Sequence, residues 1–304
     1  MRLLGLAMAG VLAGAGCGGD ANLHERQGDR AYAESRFPDA ATEYRLATEA
    51  RAGRGEVWAK LGATGLRLGD WALAAEAYRQ LAASDALRVA EAVEGLQRAA
   101  RGAEHAADYP TMRSVFLTLQ SVAPERASGR LALEVARHAE LTAEQRLALL
   151  PLAAAAAPDR RTTDSLLGAY GDALRETGAC AQGIRVYRSV LRRAEVPAME
   201  ERLLAGRAMC ALELGLAHLA DEPWTAEGWF LEAVDAAPES AAGREALVGL
   251  GDARAAQGDL IGAALAYQSA AGSGTETDSI TIRAMKKLND IAAAPRGDSG
   301  GTTP

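Results

Sequence analysis

The sequence predicts an all-α fold, a solenoid of paired helices, and three observations support this. Alanine dominates the apolar residues, which make up 49% of the 304-residue chain, whereas aromatic residues make up only 5%. Alanine has the highest helix propensity and lets helices pack closely, while the bulky residues that strands prefer are scarce. A pattern of small and aromatic residues recurs along the chain, and glycines recur upstream of it.

The recurring pattern is a small residue, an aromatic or large apolar residue four positions later, and a small or aliphatic residue three after that. This spacing places all three residues on one face of a helix. The copies are Ala40-Tyr44-Ala47, Ala74-Tyr78-Leu81, Met112-Phe116-Leu119, Arg146-Leu150-Ala153, Gly183-Tyr187-Val190, Ala226-Phe230-Ala233 and Ala263-Tyr267-Ala270. Their first members are 34, 38, 34, 37, 43 and 37 residues apart. We expect the aromatic members to be the large residues of the core.

A second helix is predicted upstream of each copy. Before Ala74 this helix contains Gly62, and Gly69-Asp70 separates the two helices. Glycine inside a helix lowers helix propensity by about 1 kcal/mol, and close approach of a neighbouring helix would compensate. Glycine between helices accepts the left-handed conformation that closes a helix.

The motifs W-x₂-L-G from Trp58 and A-x₃-Y-x₂-L from Ala74 together resemble the tetratricopeptide repeat family. The resemblance covers residues 23–272 and implies a right-handed α-solenoid of about seven helix-turn-helix repeats. Each such repeat buries its apolar face only by stacking on the next. The alternative is an alanine-rich helical bundle whose periodicity is accidental.

The segment 275–294 is predicted to be a capping helix for the last repeat. Its inward stripe would be Ile280, Ala284, Leu288 and Ile291, and its outward residues Arg283, Lys286, Lys287 and Asp290. The last residues, 295–304, are rich in glycine, serine and threonine and are predicted to be disordered.

The N-terminal residues 1–16 are predicted to be a lipoprotein signal peptide. Arg2 precedes an apolar run that is too short for a membrane span, which needs roughly 20 residues. Small residues then lead to Cys17, as in the lipobox of bacterial lipoproteins, although Gly14 stands where that family usually has leucine. The resemblance implies a lipid on Cys17, with residues 17–22 as a short tether.

This reading places the protein in the cell envelope, lipid-anchored and facing the periplasm. Gly18 follows the cysteine, which resembles outer-membrane lipoproteins. The alternative is ordinary cleavage after Ala13-Gly14-Ala15, which would leave a free periplasmic protein.

Composition and motifs argue against several functional classes. The net charge of −7 disfavours nucleic-acid binding, which needs a basic surface. The four histidines form no zinc-binding pair, and we find no phosphate loop, nucleophile elbow or dinucleotide fingerprint. We therefore expect no catalytic residues, no metal and no cofactor.

Cys180 and Cys210 are the other two of the three cysteines. Export would place them in an oxidising compartment, where a disulfide between adjacent helices could form. The alternative is a pair of buried free thiols.

The first helices of the repeats are expected to line a binding groove. The residues predicted to face it are Glu56, Ala59, Ala63 and Leu66, then Ser165, Gly168, Asp172 and Arg175, then Glu245, Val248, Asp252 and Ala255. This small and acidic lining suggests an extended or helical peptide partner that carries basic residues.

The predicted function is a non-catalytic protein–protein interaction scaffold that binds an envelope protein or peptide. One alternative is a soluble periplasmic module for glycans or small molecules, which an aromatic groove with Trp71, Trp224 and Trp229 would favour. Another is an envelope enzyme with an unrecognised site.

Overall fold

The structure, a computed structural model, describes residues 17–50, 55–272, 274–275 and 277–293. Within these ranges all regular secondary structure is helical, so the predicted all-α fold is confirmed. No helix in the described ranges is both long and apolar enough to cross a membrane. The predicted signal peptide (1–16) and tail (295–304) lie outside the described residues, as does the side chain of Cys17.

The chain divides into two compact units, unit 1 ending at Glu140 and unit 2 beginning at Leu141. The helices of unit 1 are α1 (Cys17–Ala33), α2 (Phe37–Ala50), α3 (Gly55–Leu68), α4 (Trp71–Ser84), α5 (Val89–His105), α6 (Tyr109–Val122) and α7 (Gly129–His138). Short 3₁₀ turns follow α4 at Ala86–Arg88 and α6 at Pro124–Arg126. The helices of unit 2 are α8 (Ala143–Ala155), α9 (Arg160–Glu176), α10 (Cys180–Leu191), α11 (Pro197–His218), α12 (Pro223–Ala236), α13 (Ala241–Ala256), α14 (Leu260–Gly272) and α15 (Ser279–Ala293).

Within each unit, every helix packs against the next helix along the chain. In unit 1, α3 also packs against α5 and α4 against α6, so first helices neighbour first helices and second helices neighbour second helices. In unit 2, α11 lies against α9 and α13, and α13 lies against α15. This serial packing is the arrangement expected of stacked helix-turn-helix repeats.

The large member of each predicted copy lies in the core of its unit. These residues are Tyr44, Tyr78, Phe116, Leu150, Tyr187, Phe230 and Tyr267, and each is at most 3% exposed. The expectation that they are the large core residues is therefore confirmed. Removing one of the aromatic side chains would cost roughly 3–5 kcal/mol of stability.

The glycines of the first helices make room for these rings. A Cβ atom on Gly62 would lie 2.9 Å from Cε2 of Tyr78, well inside van der Waals contact. The sequence predicted a close approach of neighbouring helices at this glycine. The structure shows that the group that approaches is the aromatic ring of the second helix of the same pair.

The turns between paired helices follow the predicted chemistry. Gly69 has φ 71° and Gly258 has φ 85°, the left-handed conformation that favours glycine. The aspartate after each glycine caps the next helix, because Asp70 accepts a hydrogen bond from Leu73 N and Asp259 from Gly262 N.

Two boundaries differ from the sequence prediction. Helix α1 begins at Cys17, so the predicted tether of residues 17–22 belongs to its first turns. The physical reason is Ala21, which packs into the core and is only 1% exposed. The division between the units separates α7 from α8, so the two helices of the predicted fourth repeat belong to different units.

Helix α15 occupies most of the predicted capping segment 275–294. Ile280 and Ala284 are buried, and Leu288 and Ile291 pack against the same cluster, as the predicted stripe requires. The outer face is less polar than expected, because Ile282 and Met285 are about half exposed on the side away from Ile280.

Candidate functional site

The two aspartates predicted to line the groove are tied to tyrosines of the same helix pair. The Tyr187 hydroxyl donates a 2.8 Å hydrogen bond to Asp172, and the Tyr267 hydroxyl donates a 2.6 Å hydrogen bond to Asp252. Burial and the hydrogen bond to the carboxylate both raise the pKa of each tyrosine above its ordinary value. In both pairs the aspartate lies fifteen residues before the tyrosine.

A cation from the next helix pair, or from the capping helix, completes each of these clusters. Arg202 lies 3.1 Å from Asp172, and the Lys287 ammonium lies 2.7 Å from Asp252. These carboxylates therefore already have a hydroxyl donor and a cation within the unit. The expectation that they present open negative charge to a partner is not supported.

The same arrangement occurs in unit 1 at an aspartate that the sequence analysis did not select. Asp29 accepts a 2.9 Å hydrogen bond from Tyr44. Lys60 donates to both Asp29 and Glu25 at 2.9 Å. The sequence signal was the Gly-Asp pair at residues 28–29, which recurs at 171–172 and 251–252.

The groove residues predicted on α3 are placed differently from one another. Glu56 is exposed and lies 3.6 Å from Lys60, while Ala63 and Leu66 are half-buried. Ala59 is a correction, because it is only 6% exposed and packs in the core of unit 1. Its small side chain fills the contact with neighbouring helices and offers no surface to a partner.

The groove residues predicted on α13 and α9 also differ in their exposure. Val248 is a second correction, since it is 4% exposed and packs against Tyr267 and the cap. Glu245 is half-buried and forms an ion pair with Arg283 of α15. Arg175 is half-buried beside Tyr187, where its positive charge opposes the rise in the pKa of that hydroxyl.

An apolar stripe on α11 was missed by the sequence analysis. Met209 is 39% exposed and Leu216 is 51% exposed, while Leu212 and Leu219, the residue that directly follows α11, are half-buried. The signal was present: these residues stand at the same offsets from Gly215 as Glu56, Ala59, Ala63 and Leu66 from Gly62. Gly215 faces the Phe230 ring in the way that Gly62 faces Tyr78.

The N-terminal half of this stripe, Met209 and Leu212, borders a concavity of about 540 Å³ in unit 2. Residues of α11 and the first turns of α13 and α15 line it. They are Ala205, Met209, Leu212, Glu213, Ser240, Ala241, Ala242, Glu245, Ser279, Ile280 and Arg283. The concavity is therefore formed by the first helices α11 and α13 together with the capping helix α15, and Glu245 is the one lining residue that was predicted to face a groove.

Some of the charged side chains at the edge of the concavity have an ion-pair partner among the described residues and others do not. Glu245 and Arg283 neutralise each other. Glu213 is exposed and has no cationic partner in the described part of the chain, although one of its carboxylate oxygens lies 3.2 Å from Sγ of the disulfide-bonded Cys180. The concavity thus combines an aliphatic floor with one carboxylate open to a cation.

The structure joins Cys180, at the start of α10, to Cys210 in the middle of α11 by a disulfide. The two Cα atoms are 4.9 Å apart, which is within the usual range for a disulfide. Both residues are at most 2% exposed. The bond links the fifth and sixth predicted repeats beside the Tyr187 core.

The three tryptophans considered for a glycan site, Trp71, Trp224 and Trp229, do not build an aromatic groove in the described residues. Trp71 lies against Gly102 of α5, and Trp229 packs against the core of unit 2. Trp224, at the start of α12, is 76% exposed. These three side chains therefore give no support to a glycan-binding module. No cluster of three metal-ligating side chains occurs among the described residues either.

No family model matches the chain. No curated protein matches it significantly by sequence. Solved structures to which the chain is similar include the complex of the TPR2AB domain of yeast Sti1 with pHSP90, at 15% identity and TM-score 0.29, covering 90% of this chain and 99% of that one. Yeast Tom70 is 13% identical with TM-score 0.35, covering 90% of this chain and 64% of that one.

A tetratricopeptide repeat protein from Parabacteroides merdae is also similar, at 13% identity and TM-score 0.28, covering 90% of this chain and 99% of that one. The fold described above rests on the chain's own helix pairing and buried core.

Proposed function

We propose that this protein is a non-catalytic protein–protein interaction scaffold of the bacterial cell envelope. The observation that carries the proposal is the aliphatic concavity of unit 2, with Met209 and Leu212 in its lining. Exposed apolar surface of this kind is costly in water and commonly marks a binding site. Methionine suits such a site because its flexible side chain adapts to different partners.

The chemistry of the concavity points to a peptide segment with aliphatic side chains and a neighbouring lysine or arginine. The aliphatic side chains would cover Met209 and Leu212, and the cation would meet Glu213 at the edge. The volume of about 540 Å³ is enough for two or three side chains, and too small for a folded domain. An ion pair that becomes shielded by the bound peptide would add orientation as well as affinity.

A library of random twelve-residue peptides displayed on phage would test this proposal. We expect the protein to enrich sequences that pair aliphatic residues with a basic residue. Synthetic versions should bind at least tenfold more weakly to Met209→Lys, because a charge would enter the aliphatic floor. Leu231→Lys is the matched control, since Leu231 is 44% exposed on α12 and outside the concavity.

Two results would contradict the proposal. One is a panning experiment that enriches no peptide above background. The other is enriched peptides that bind Met209→Lys as tightly as they bind the unchanged protein. Glu213→Gln should weaken binding of peptides with a basic residue and leave their alanine-substituted forms unaffected.

The envelope location and the lipid anchor rest on residues 1–17. Metabolic labelling with radioactive palmitate would test them by comparing the unchanged protein with Cys17→Ala. We expect label only in the former. Equal incorporation by both proteins would remove the anchor from the proposal and leave the alternative, a free periplasmic protein.

A further inference from the structure

Three arginines line one small cavity in unit 1. Arg101 comes from α5, Arg126 from the 3₁₀ turn after α6, and Arg130 from the first turn of α7. The cavity has a volume of about 240 Å³, and Gln97, Ala100, Glu104, Leu119, Ser128 and Leu131 complete its lining. Three separate elements thus each contribute one exposed arginine to the lining of a single cavity.

The cavity has an excess of positive charge. Glu104 is its one lining carboxylate, and it accepts a 2.6 Å hydrogen bond from Arg130. Arg101 and Arg126 have no ion pair with any described residue. The lining therefore carries three positive charges and one negative charge, whereas the whole chain has a net charge of −7.

Neighbouring acids do not cancel this excess. Glu134, one turn after Arg130, pairs with Arg137 at 2.9 Å and lies 3.8 Å from His138. Glu125 is exposed next to Arg126 and is not part of the lining. Arg101 and Arg126 therefore have no ion pair within the described ranges, whereas Arg130 is paired with Glu104.

We propose that this cavity binds an oxyanion, either a carboxylate or a phosphate group. A guanidinium offers a planar fork of N–H donors that matches both groups, and two forks can grip one anion from two sides. Ala100, Leu119 and Leu131 form the apolar part of the lining. The volume is below that of sites for drug-sized ligands, so it accommodates one charged group.

The start of α7 adds to this attraction. Ser128 is its N-cap residue, and its side chain makes no capping hydrogen bond. The backbone N–H groups of the first turn therefore keep their capacity to donate to an anion beside Arg130. The arginine excess carries the proposal, and this helix end reinforces it.

Nuclear magnetic resonance titration of the whole chain would test the site. The probes are sodium phosphate and sodium glutarate, with sodium chloride at equal ionic strength as the reference. We expect saturable shifts of the backbone amide signals of residues 97–104 and 126–131 with at least one of the two probes. The probe that binds more tightly identifies the preferred source of the oxyanion.

The double variant Arg101→Gln and Arg126→Gln should weaken binding at least tenfold. Arg45→Gln is the matched control, because Arg45 is exposed on α2 of the same unit and does not line the cavity, and it should stay within twofold. Shifts that chloride reproduces, or equal affinity in the double variant, would overturn the proposal. Met209→Lys should leave anion binding unchanged, so failure of the peptide site would not affect this result.

Discussion

A Cβ atom placed on Gly171 of α9 would lie 2.6 Å from Cε1 of Tyr187 of α10. The ring cannot move away easily, because a Cβ on Gly206 of α11 would lie 2.6 Å from its Cζ. Tyr187 is therefore held between two glycines, one in its own helix pair and one in the next. Its hydroxyl reaches Asp172 beyond them.

Gly171→Ala should destabilise the protein even though alanine is the better helix former. The added methyl group would force the ring or the backbone to shift, at a cost of about 1–3 kcal/mol. Gly228→Ala is the control, because a Cβ on Gly228 of α12 meets nothing within 4 Å. That variant should gain roughly 0.5–1 kcal/mol from helix propensity. Urea unfolding of both variants would show opposite signs, and equal signs would refute the packing argument.

Tyr187→Phe should lower the free energy of unfolding by about 0.5–1.5 kcal/mol. The ring stays in place, but Asp172 loses its hydrogen-bond donor. Tyr78→Phe provides the comparison, since the Tyr78 hydroxyl has no hydrogen-bond partner among the described residues. We expect little change there, and the difference between the two variants measures the hydrogen bond in the presence of the same ring.

Stability should fall as the pH rises above about 10. The pKa values of Tyr44, Tyr187 and Tyr267 are raised above their ordinary value of 10.0 by burial and by hydrogen bonds to aspartate. Unfolding returns each pKa to its ordinary value, so the unfolded chain loses protons first at alkaline pH. The stabilisation is complete below pH 10 and declines above it.

Denaturation at pH 8 and at pH 10.5 would measure this effect. Tyr187→Phe should lose less stability between the two pH values than the unchanged protein does. Identical losses would show that this hydroxyl does not contribute to the pH dependence.

Reduction of the Cys180–Cys210 disulfide should lower stability by about 3–4 kcal/mol. The bond closes a loop with a sequence separation of 30 residues, and opening it restores chain entropy to the unfolded state. Urea unfolding with and without dithiothreitol would give the difference. The double variant Cys180→Ala and Cys210→Ala should not respond to the reductant. A mass spectrum of the non-reduced protein that lacks the linked peptides would show that the bond does not form.

The capping helix α15 should loosen when the pH falls below about 4. Arg244 pairs with Asp278 just before α15 and holds the pKa of that carboxyl below its ordinary value of 3.8. A lowered pKa gives stability that is present above pH 3.8 and lost as the pH falls toward the folded value. Asp278→Asn should therefore raise hydrogen exchange in α15 at neutral pH. Asp290→Asn, an exposed change in the same helix, should not.

The core could be predicted from sequence because its spacing is local. Residues such as Ala226, Phe230 and Ala233 share a helix face whatever the rest of the chain does, and the structure buries all three. The binding surface was harder to predict from sequence, because the exposure of a side chain depends on the neighbouring helix. Ala59 and Val248 stand at positions that were predicted to face the groove, but neighbouring helices cover them. Met209 stands at the same position relative to Gly215 as Glu56 does to Gly62, and it is exposed.

The sequence by itself determined the all-α class, the register of the repeats and the identity of the core rings, since these follow from periodicity along one chain. It also placed Cys180 and Cys210 on consecutive helices. Only the tertiary structure decided that Asp172 and Asp252 each accept a hydrogen bond from a tyrosine. It also decided that Asp172 pairs with Arg202 and Asp252 with Lys287. Arg202 comes from the next helix pair and Lys287 from the capping helix, and the pairing of charges across such helices depends on distances that no spacing along the sequence specifies.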